Sequence, residues 1–173
     1  MFSVQALRDV AVTSMSTFFR STSEGLVKVY TKSGTYAGFE ANETAWTLIY
    51  DNTIFQNGKD VLTQLGSFVN NTKVVIGKGE VQSFYVYSPS NMAYRQEPGL
   101  LEGDLVLSDN SLNFYAGIAI AFGFFDEGQR YSPREFSGIL RCDFFVIFNL
   151  HFNVLLTSIW ICGCSGMMGS QHR

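Results

Sequence analysis

The feature that most constrains the fold is an alternation of apolar and polar side chains, interrupted by glycine-rich turns, over residues 11–141. Residues 80–88 show it best, because Phe84 and Val86 alternate there with serine and tyrosine. A two-residue period places one set of side chains on each face of a β-strand. The 3.6-residue period of a helix is not sustained over any long segment of this region. The sequence therefore predicts an all-β domain.

Turn-forming residues divide this region into short strands. The predicted strands lie at residues 11–20, 26–31, 45–50, 73–76, 80–88, 104–107, 111–116, 118–125 and 136–141. Gly77-Lys78-Gly79 predicts a hairpin between two of them, and Ser108-Asp109-Asn110 predicts another. Residues 60–68 could form one or two helical turns, although Gly66 weakens that prediction. Many short strands with frequent turns are typical of a jelly-roll-like antiparallel β-sandwich.

Single positions within the strands carry further expectations. Trp46, Leu48 and Tyr50 are spaced to share one face of a strand, with Trp46 in the core. Pro133 is expected just before the last strand, where its missing N–H does least harm.

Composition excludes several classes of function. The net charge is −3, charged residues make up 16% of the chain, and neither sign forms a long run, so a nucleic-acid partner, which requires a basic face, is not expected. Residues 1–141 contain no cysteine and no histidine, which removes thiolate catalysis, disulfides and the commonest general base from that region. Carboxylates remain as the catalytic candidates there. Glycoside hydrolysis requires two of them across a cleft, and Asp104, Asp109, Asp126 and Glu127 are available.

The C-terminal residues 142–173 differ from the rest in composition. We place the domain boundary after Arg141, since all cysteines and histidines follow it. The apolar run at residues 144–164 is long enough to span a bilayer core as a helix, although Asn149 and His151 interrupt it. It could be a membrane anchor, a buried or surface-packed segment, or translated non-coding sequence after a mis-predicted splice boundary. The abrupt change in composition favours the last interpretation.

The stretch VYTKSGTYAGFEANETAW, residues 29–46, raises the question of ligand binding. Tyr30, Tyr36, Phe39 and Trp46 could form a platform for stacking sugars. A structural corner with glycine turns is the simpler interpretation, and it leaves Tyr36 as the exposed candidate for ligand binding together with Tyr30.

Other side chains are candidates for ligand, metal or sugar attachment. Arg134 could bind a ligand, or it could form a structural ion pair with Asp126 or Glu127. Calcium could take oxygen ligands from the loops that carry Asp104, Asp109 and Asp126, although Asp109 is also typical of a turn. Two triplets, at Asn42 and Asn70, are acceptors for glycosylation if the chain is secreted.

Four blocks of the sequence resemble a recurring β-sandwich module of large secreted or surface proteins in marine microalgae and some bacteria. They are VYTKSGTYAGFEANETAW, IGKGEVQSFYVY, LVLSDNSLNFYAG and YSPREFSGIL. The resemblance spans residues 2–141 and implies a sandwich fold at an extracellular or cell-surface location, without a settled activity. The family pattern usually has tryptophan where Phe136 stands and polar residues after Gly117, which this chain lacks. The N-terminus has no signal peptide, and its match to an internal part of the block implies a missing upstream leader.

These observations predict a non-catalytic extracellular adhesion or carbohydrate-binding module. The alternatives are a structural spacer of a multidomain surface protein and a carboxylate-based enzyme acting on polysaccharides. The expected partner is a polysaccharide or a surface protein. A membrane contact is expected only through residues 144–164. No cofactor is expected, calcium excepted.

Overall fold

The computed structural model describes residues 1–90, 92–121, 125 and 128–144. In that part of the chain the strands are, in order, β1 (Phe2–Ala6), β2 (Val10–Thr17), β3 (Glu24–Ser33), β4 (Thr47–Phe55), β5 (Thr63–Ser67), β6 (Val74–Ile76), β7 (Val81–Tyr87), β8 (Tyr94–Arg95), β9 (Leu105–Ser108), β10 (Leu112–Tyr115), β11 (Gly117–Ile120), β12 (Arg130–Phe136) and β13 (Gly138–Phe144). Short 3₁₀ helices lie at Glu43–Ala45 and Val69–Asn71. The all-β class predicted from the alternation is confirmed.

The strands form an antiparallel β-sandwich. One layer is a six-stranded sheet with the order β4-β3-β7-β1-β10-β9. The facing layer is built on β2, which pairs with β13 along one edge and with β6 and β5 along the other. A third, three-stranded sheet has the order β11-β12-β8, and Ser137 alone separates its strand β12 from β13.

The main core lies between the two layers. Each layer contributes side chains that are almost completely excluded from solvent, among them Val4, Val29 and Phe84 from the six-stranded sheet and Val12, Met15 and Leu140 from the facing layer. Burying a large apolar side chain contributes about 1.5–3 kcal/mol relative to leaving it exposed. The alternation in the sequence thus marks the residues that hold the sandwich together.

A second apolar group covers the outer face of the six-stranded sheet. Tyr30 and Tyr85 lie opposite each other on β3 and β7 and face away from the main core, because their neighbours along each strand point into it. We call this group the outer cluster; its buried members are Tyr30, Tyr36, Trp46, Tyr85 and Ile118. The Trp46 and Tyr85 rings meet edge to face with centroids 6.0 Å apart. The six-stranded sheet is therefore buried on both faces near its centre.

One predicted hairpin is confirmed and the other is wrong. β9 pairs with β10 around the turn at Asp109, as predicted. β6 and β7 flank Gly77-Lys78-Gly79 but belong to different layers: β6 pairs with β2, whereas β7 pairs with β1 and β3. The turn crosses between the sheets because both strands bury apolar side chains in the core from opposite sides. Glu80 stabilises the turn by accepting a hydrogen bond from the Gly77 amide at 2.9 Å.

Two further local expectations are wrong. Residues 60–68 contain β5 rather than a helical turn, because Thr63 and Leu65 alternate inward and pair with β2. Pro133 lies inside β12 and not before the last strand. The predicted strand at 118–125 corresponds to β11, which ends at Ile120.

The predicted common face of Trp46, Leu48 and Tyr50 is also wrong. Trp46 packs in the outer cluster and Tyr50 in the main core, while Leu48 is 40% exposed. The pairing of β3 with β4 shifts by one residue between Val29 and Tyr30. An extra residue in one strand turns the following side chains to the other face, so simple alternation fails here.

The last strand passes the boundary placed after Arg141. Residues 142–144 continue β13 and pair with β2, and Cys142 is 3% exposed within the main core. Asp143 forms an ion pair with Lys73, with a distance of 2.7 Å between Nζ and Oδ2. The sandwich therefore includes residues of the segment whose composition suggested an unrelated tail.

We expect Cys142→Ser to lower the free energy of unfolding by about 1–2 kcal/mol, since a hydroxyl would replace an apolar thiol in the core. Urea unfolding of the full chain measures this change. Arg141→Gln is the control, because Arg141 is exposed on the same strand. Equal stabilities of the two variants would contradict the placement of Cys142 in the core.

Candidate functional site

A cleft of about 590 Å³ opens where β7 and the segment after it meet the β11-β12-β8 sheet. We call it the Arg134 cleft. Its polar and aromatic lining includes Tyr87, Ser88, Tyr94, Tyr131, Arg134 and Glu135. This volume lies in the range of small-ligand sites, which combine apolar and aromatic walls with a few polar groups.

Arg134 lies in this cleft between aromatic rings. Its guanidinium carbon is 4.6 Å from the ring centroid of Tyr94 and 5.4 Å from that of Tyr131. Nη1 donates hydrogen bonds to the Gln96 side-chain oxygen at 2.8 Å and to the Pro133 carbonyl at 2.7 Å. Nε is buried and has no hydrogen-bond partner among the residues that the structure describes. No carboxylate among the described residues forms an ion pair with Arg134, and Asp126 and Glu127, its predicted partners, lie outside the described residues.

Glu135 is the next residue of β12 and is 3% exposed. Successive residues of a strand face opposite ways, so its side chain projects from the other face of β12 than that of Arg134. Burial raises the pKa of Glu135, the charge of Glu97 raises it further, and Arg95 acts in the opposite direction. Glu135 thus lines the cleft, with its buried carboxyl group on the face of β12 opposite Arg134.

The tyrosines predicted to bind a ligand are not exposed. Tyr30 and Tyr36 are each 4% exposed within the outer cluster. Phe39 is partly exposed, but the Lys32 ammonium lies 4.0 Å from its ring centroid. Gly34 and Gly38 adopt positive φ angles of 78° and 84°, which glycine tolerates. The stretch is therefore a folded corner whose rings cover the sheet, and the expectation of an exposed Tyr36 is wrong.

The corner is fixed by a charged network. Tyr36 donates a hydrogen bond to Glu102 Oε1 at 2.8 Å, and Ser132 donates to Oε2 at 2.7 Å. Arg130 donates from Nη2 to both oxygens of Glu102, at 2.6 and 2.8 Å, and from Nη1 to Glu40 at 3.0 Å. The network joins the β3–β4 corner, the β8–β9 connection and β12, the strand that carries Arg134.

The network shifts the ionisation of its members. Burial raises the pKa of Tyr36, and its hydrogen bond to Glu102 raises it further. Partial burial alone would raise the pKa of Glu102, but hydrogen bonds from Ser132, Arg130 and Tyr36 outweigh it, and the pKa lies below its usual value. Glu102 is therefore held as the charged acceptor. In the outer cluster, burial raises the pKa of Tyr30 to about 12.

Two of the aspartates predicted to bind calcium, Asp104 and Asp109, are not brought together. The Asp104 carboxylate accepts a hydrogen bond from the Leu101 amide at 2.7 Å. The Asp109 carboxylate accepts two, from the amides of Ser111 and Leu112, as a turn residue does. The two residues flank β9, about 16 Å apart in an extended strand. Asp126 lies outside the described residues, and within the described ranges no three His, Cys, Asp or Glu side chains form a group that could hold a metal ion.

Both predicted glycosylation sites are at the surface. Asn42 is exposed, and its side-chain oxygen accepts a hydrogen bond from Thr44 at 2.7 Å. Asn70 is exposed and has a φ of 55°. Glycosylation of either residue remains a prediction.

The predicted membrane segment, residues 144–164, lies outside the described residues except for the backbone of its first residue in β13. In the part of the chain that the structure describes, no helix has the length and apolar character needed to cross a membrane.

Sequence reasoning found Arg134 but missed most of its surroundings. Tyr94, Tyr131 and Glu135 come from two paired strands, β8 and β12, neither of which was predicted. The available signal was YSPREF, in which Arg134 and Phe136 are two residues apart, as on one face of a strand, although Tyr131 does not continue that period. Pro133 concealed it, because proline argues against a strand interior.

Comparisons with protein-family models, with curated proteins and with solved structures give no match to this chain. The site must therefore be interpreted from its own geometry.

We expect Glu102→Gln to lower the free energy of unfolding by about 1 kcal/mol at neutral pH, because a partly exposed ion pair loses its charge. The depressed pKa of Glu102 stabilises the fold above the usual value of 4.5, and this contribution is lost as the pH falls through the folded-state pKa. The difference between wild type and variant should therefore vanish in acid.

Urea unfolding at neutral pH and at about pH 2.5 measures both quantities. Glu43→Gln is the control, because Glu43 is exposed at the same corner. If Glu102→Gln and the wild type lose the same free energy of unfolding between neutral pH and about pH 2.5, the role of this carboxylate is contradicted.

Proposed function

We propose that the protein is a non-catalytic extracellular or cell-surface module that binds carbohydrate in the Arg134 cleft, for adhesion. The observation that carries this proposal is the arginine held between the Tyr94 and Tyr131 rings in a cleft of about 590 Å³. Flat rings suit the apolar faces of sugars, and guanidinium and hydroxyl groups form hydrogen bonds with sugar oxygens.

Two further observations support this proposal. The cleft includes serine hydroxyls at Ser88, Ser90 and Ser137, which can donate and accept hydrogen bonds. The resemblance to secreted sandwich modules fits the same location, and the exposed sequons at Asn42 and Asn70 are compatible with it. The proposal does not require calcium, and the experiment below is done with and without it.

Thermal unfolding of the full chain tests the proposal against a panel of neutral and acidic polysaccharides, with and without calcium. A ligand at 100 times its Kd stabilises the folded state by about 2.7 kcal/mol, which raises the midpoint by several degrees. We expect such a shift with at least one polysaccharide and a smaller shift for Tyr94→Ala. Tyr94 is 44% exposed, so its loss should cost little stability.

Tyr115→Ala is the matched control, because Tyr115 lies on β10 outside the cleft and donates a hydrogen bond to Gln5. An unchanged midpoint with every polysaccharide would overturn the proposal and favour a structural spacer. A shift that Tyr94→Ala leaves intact would place the binding site elsewhere.

A second candidate is an enzyme that acts on polysaccharides through carboxylates. The observation that favours it is Glu135, whose pKa is raised by burial beside the cleft, as a general acid requires. Asp104 and Asp109 accept hydrogen bonds from backbone amides in turns, and neither lines the cleft with Glu135.

We expect no release of reducing ends when the full chain is incubated with the same polysaccharides. Release by the wild type that is lost in Glu135→Gln would replace the binding module with an enzyme. Glu43→Gln, at an exposed position of the β3–β4 corner, controls for the loss of one carboxylate.

A further inference from the structure

The two arginines of β12 differ in how their charges are balanced. Arg130 contacts both Glu102 and Glu40. Arg134 donates hydrogen bonds only to the neutral oxygens of Gln96 and Pro133 among the described residues. Its Nε is buried without a partner, and Nη2 has none in the described part of the chain. Within one strand, one guanidinium is thus neutralised by carboxylates, whereas the other lines the cleft without an anion.

The surroundings of Arg134 suit an anionic ligand. The Arg134 guanidinium lies against the Tyr94 and Tyr131 rings, and these contacts restrict its position. Nε is buried, and Nη2 has no partner in the described part of the chain, which leaves Nη2 as the guanidinium nitrogen that can donate a charged hydrogen bond to a carboxylate or sulfate. Arg20 also lines the cleft and adds a second positive charge.

Glu135 is the charged lining residue of opposite sign. Its side chain projects from the other face of β12, and the charges that act on it are those of Glu97 and Arg95. It forms no ion pair with Arg134 and therefore does not neutralise it.

We propose that the cleft selects acidic polysaccharides, with the anionic group of one sugar unit bound by the guanidinium group of Arg134. The inference rests on the proposed function and specifies its ligand class. The sugar ring beside the bound anion packs on Tyr94, the more exposed of the two rings. A charged hydrogen bond in a partly desolvated site accounts for the selectivity, because a neutral sugar leaves the arginine without a counter-charge.

Isothermal titration calorimetry of the full chain tests the inference with matched pairs of probes. One pair is polygalacturonate and its methyl-esterified form, which differ in carboxylate charge. The other is a sulfated galactan and its desulfated form. We expect the charged member of at least one pair to bind about 30-fold or more tightly than the neutral member. The pair that shows the difference identifies the anion as carboxylate or sulfate.

Three variants locate the effect. Arg134→Gln should remove the preference for the charged probe. Arg134→Lys should keep part of it, since lysine retains the positive charge but lacks the planar guanidinium group. Arg141→Gln, at an exposed arginine of β13, should bind as the wild type does. Thermal unfolding of each variant shows whether the sandwich is intact.

Each contrary outcome has a separate meaning. Equal binding of charged and neutral probes overturns the acidic selectivity but leaves carbohydrate binding standing. If the chain binds none of the four probes and no polysaccharide of the panel, the proposed function is overturned as well. A charge preference that survives in Arg134→Gln assigns the anion to another part of the chain and overturns the role of Arg134. If Arg134→Gln does not fold, the affinity of the wild type for the charged probe is measured at low and at high salt. Equal affinities at the two salt concentrations overturn the inference, because binding through opposite charges weakens with salt.

Discussion

The rest of the structure depends on the direct pairing of Tyr30 with Tyr85 at the centre of the six-stranded sheet. These two side chains face away from the main core, and their rings would meet water if nothing covered them. The β3–β4 corner and β11 pack over them and form the outer cluster. Because both faces of β3 and β7 are then buried, the corner contributes to folding and is not a free loop. Its tyrosines Tyr30 and Tyr36 are accordingly buried over the sheet and not exposed at the surface.

Arg130 and Arg134 differ in whether a carboxylate neutralises their charge. Arg130 joins the corner to β12 through Glu102 and Glu40, and this network fixes the strand on which Arg134 lies. Arg134 is held by rings and neutral oxygens instead. β12 thus carries one guanidinium that carboxylates neutralise and one that forms no ion pair with a described residue. The proposed selectivity for acidic sugars follows from that difference.

Alternation predicted where strands would form but not how they would pair. The turn at Gly77-Lys78-Gly79 resembles a hairpin, because local sequence does not record to which layer each flanking strand belongs. The extra residue opposite Tyr30 in β4 likewise changes which side chains are buried without a mark in the sequence. Cys142 shows the same limitation, since its apolar neighbours suggested a separate segment while its pairing with β2 places it in the core.

The sequence by itself determined the all-β class and the hairpin at Asp109, and it indicated Arg134 as a candidate. These are local properties, because a two-residue period, a turn carboxylate and a strand arginine depend on near neighbours in the chain. Only the tertiary structure decided that Tyr36 is buried on Glu102, and that Tyr94 and Tyr131 flank Arg134 in one cleft. Those relations join residues far apart in sequence, and the packing of two layers around one core fixes them.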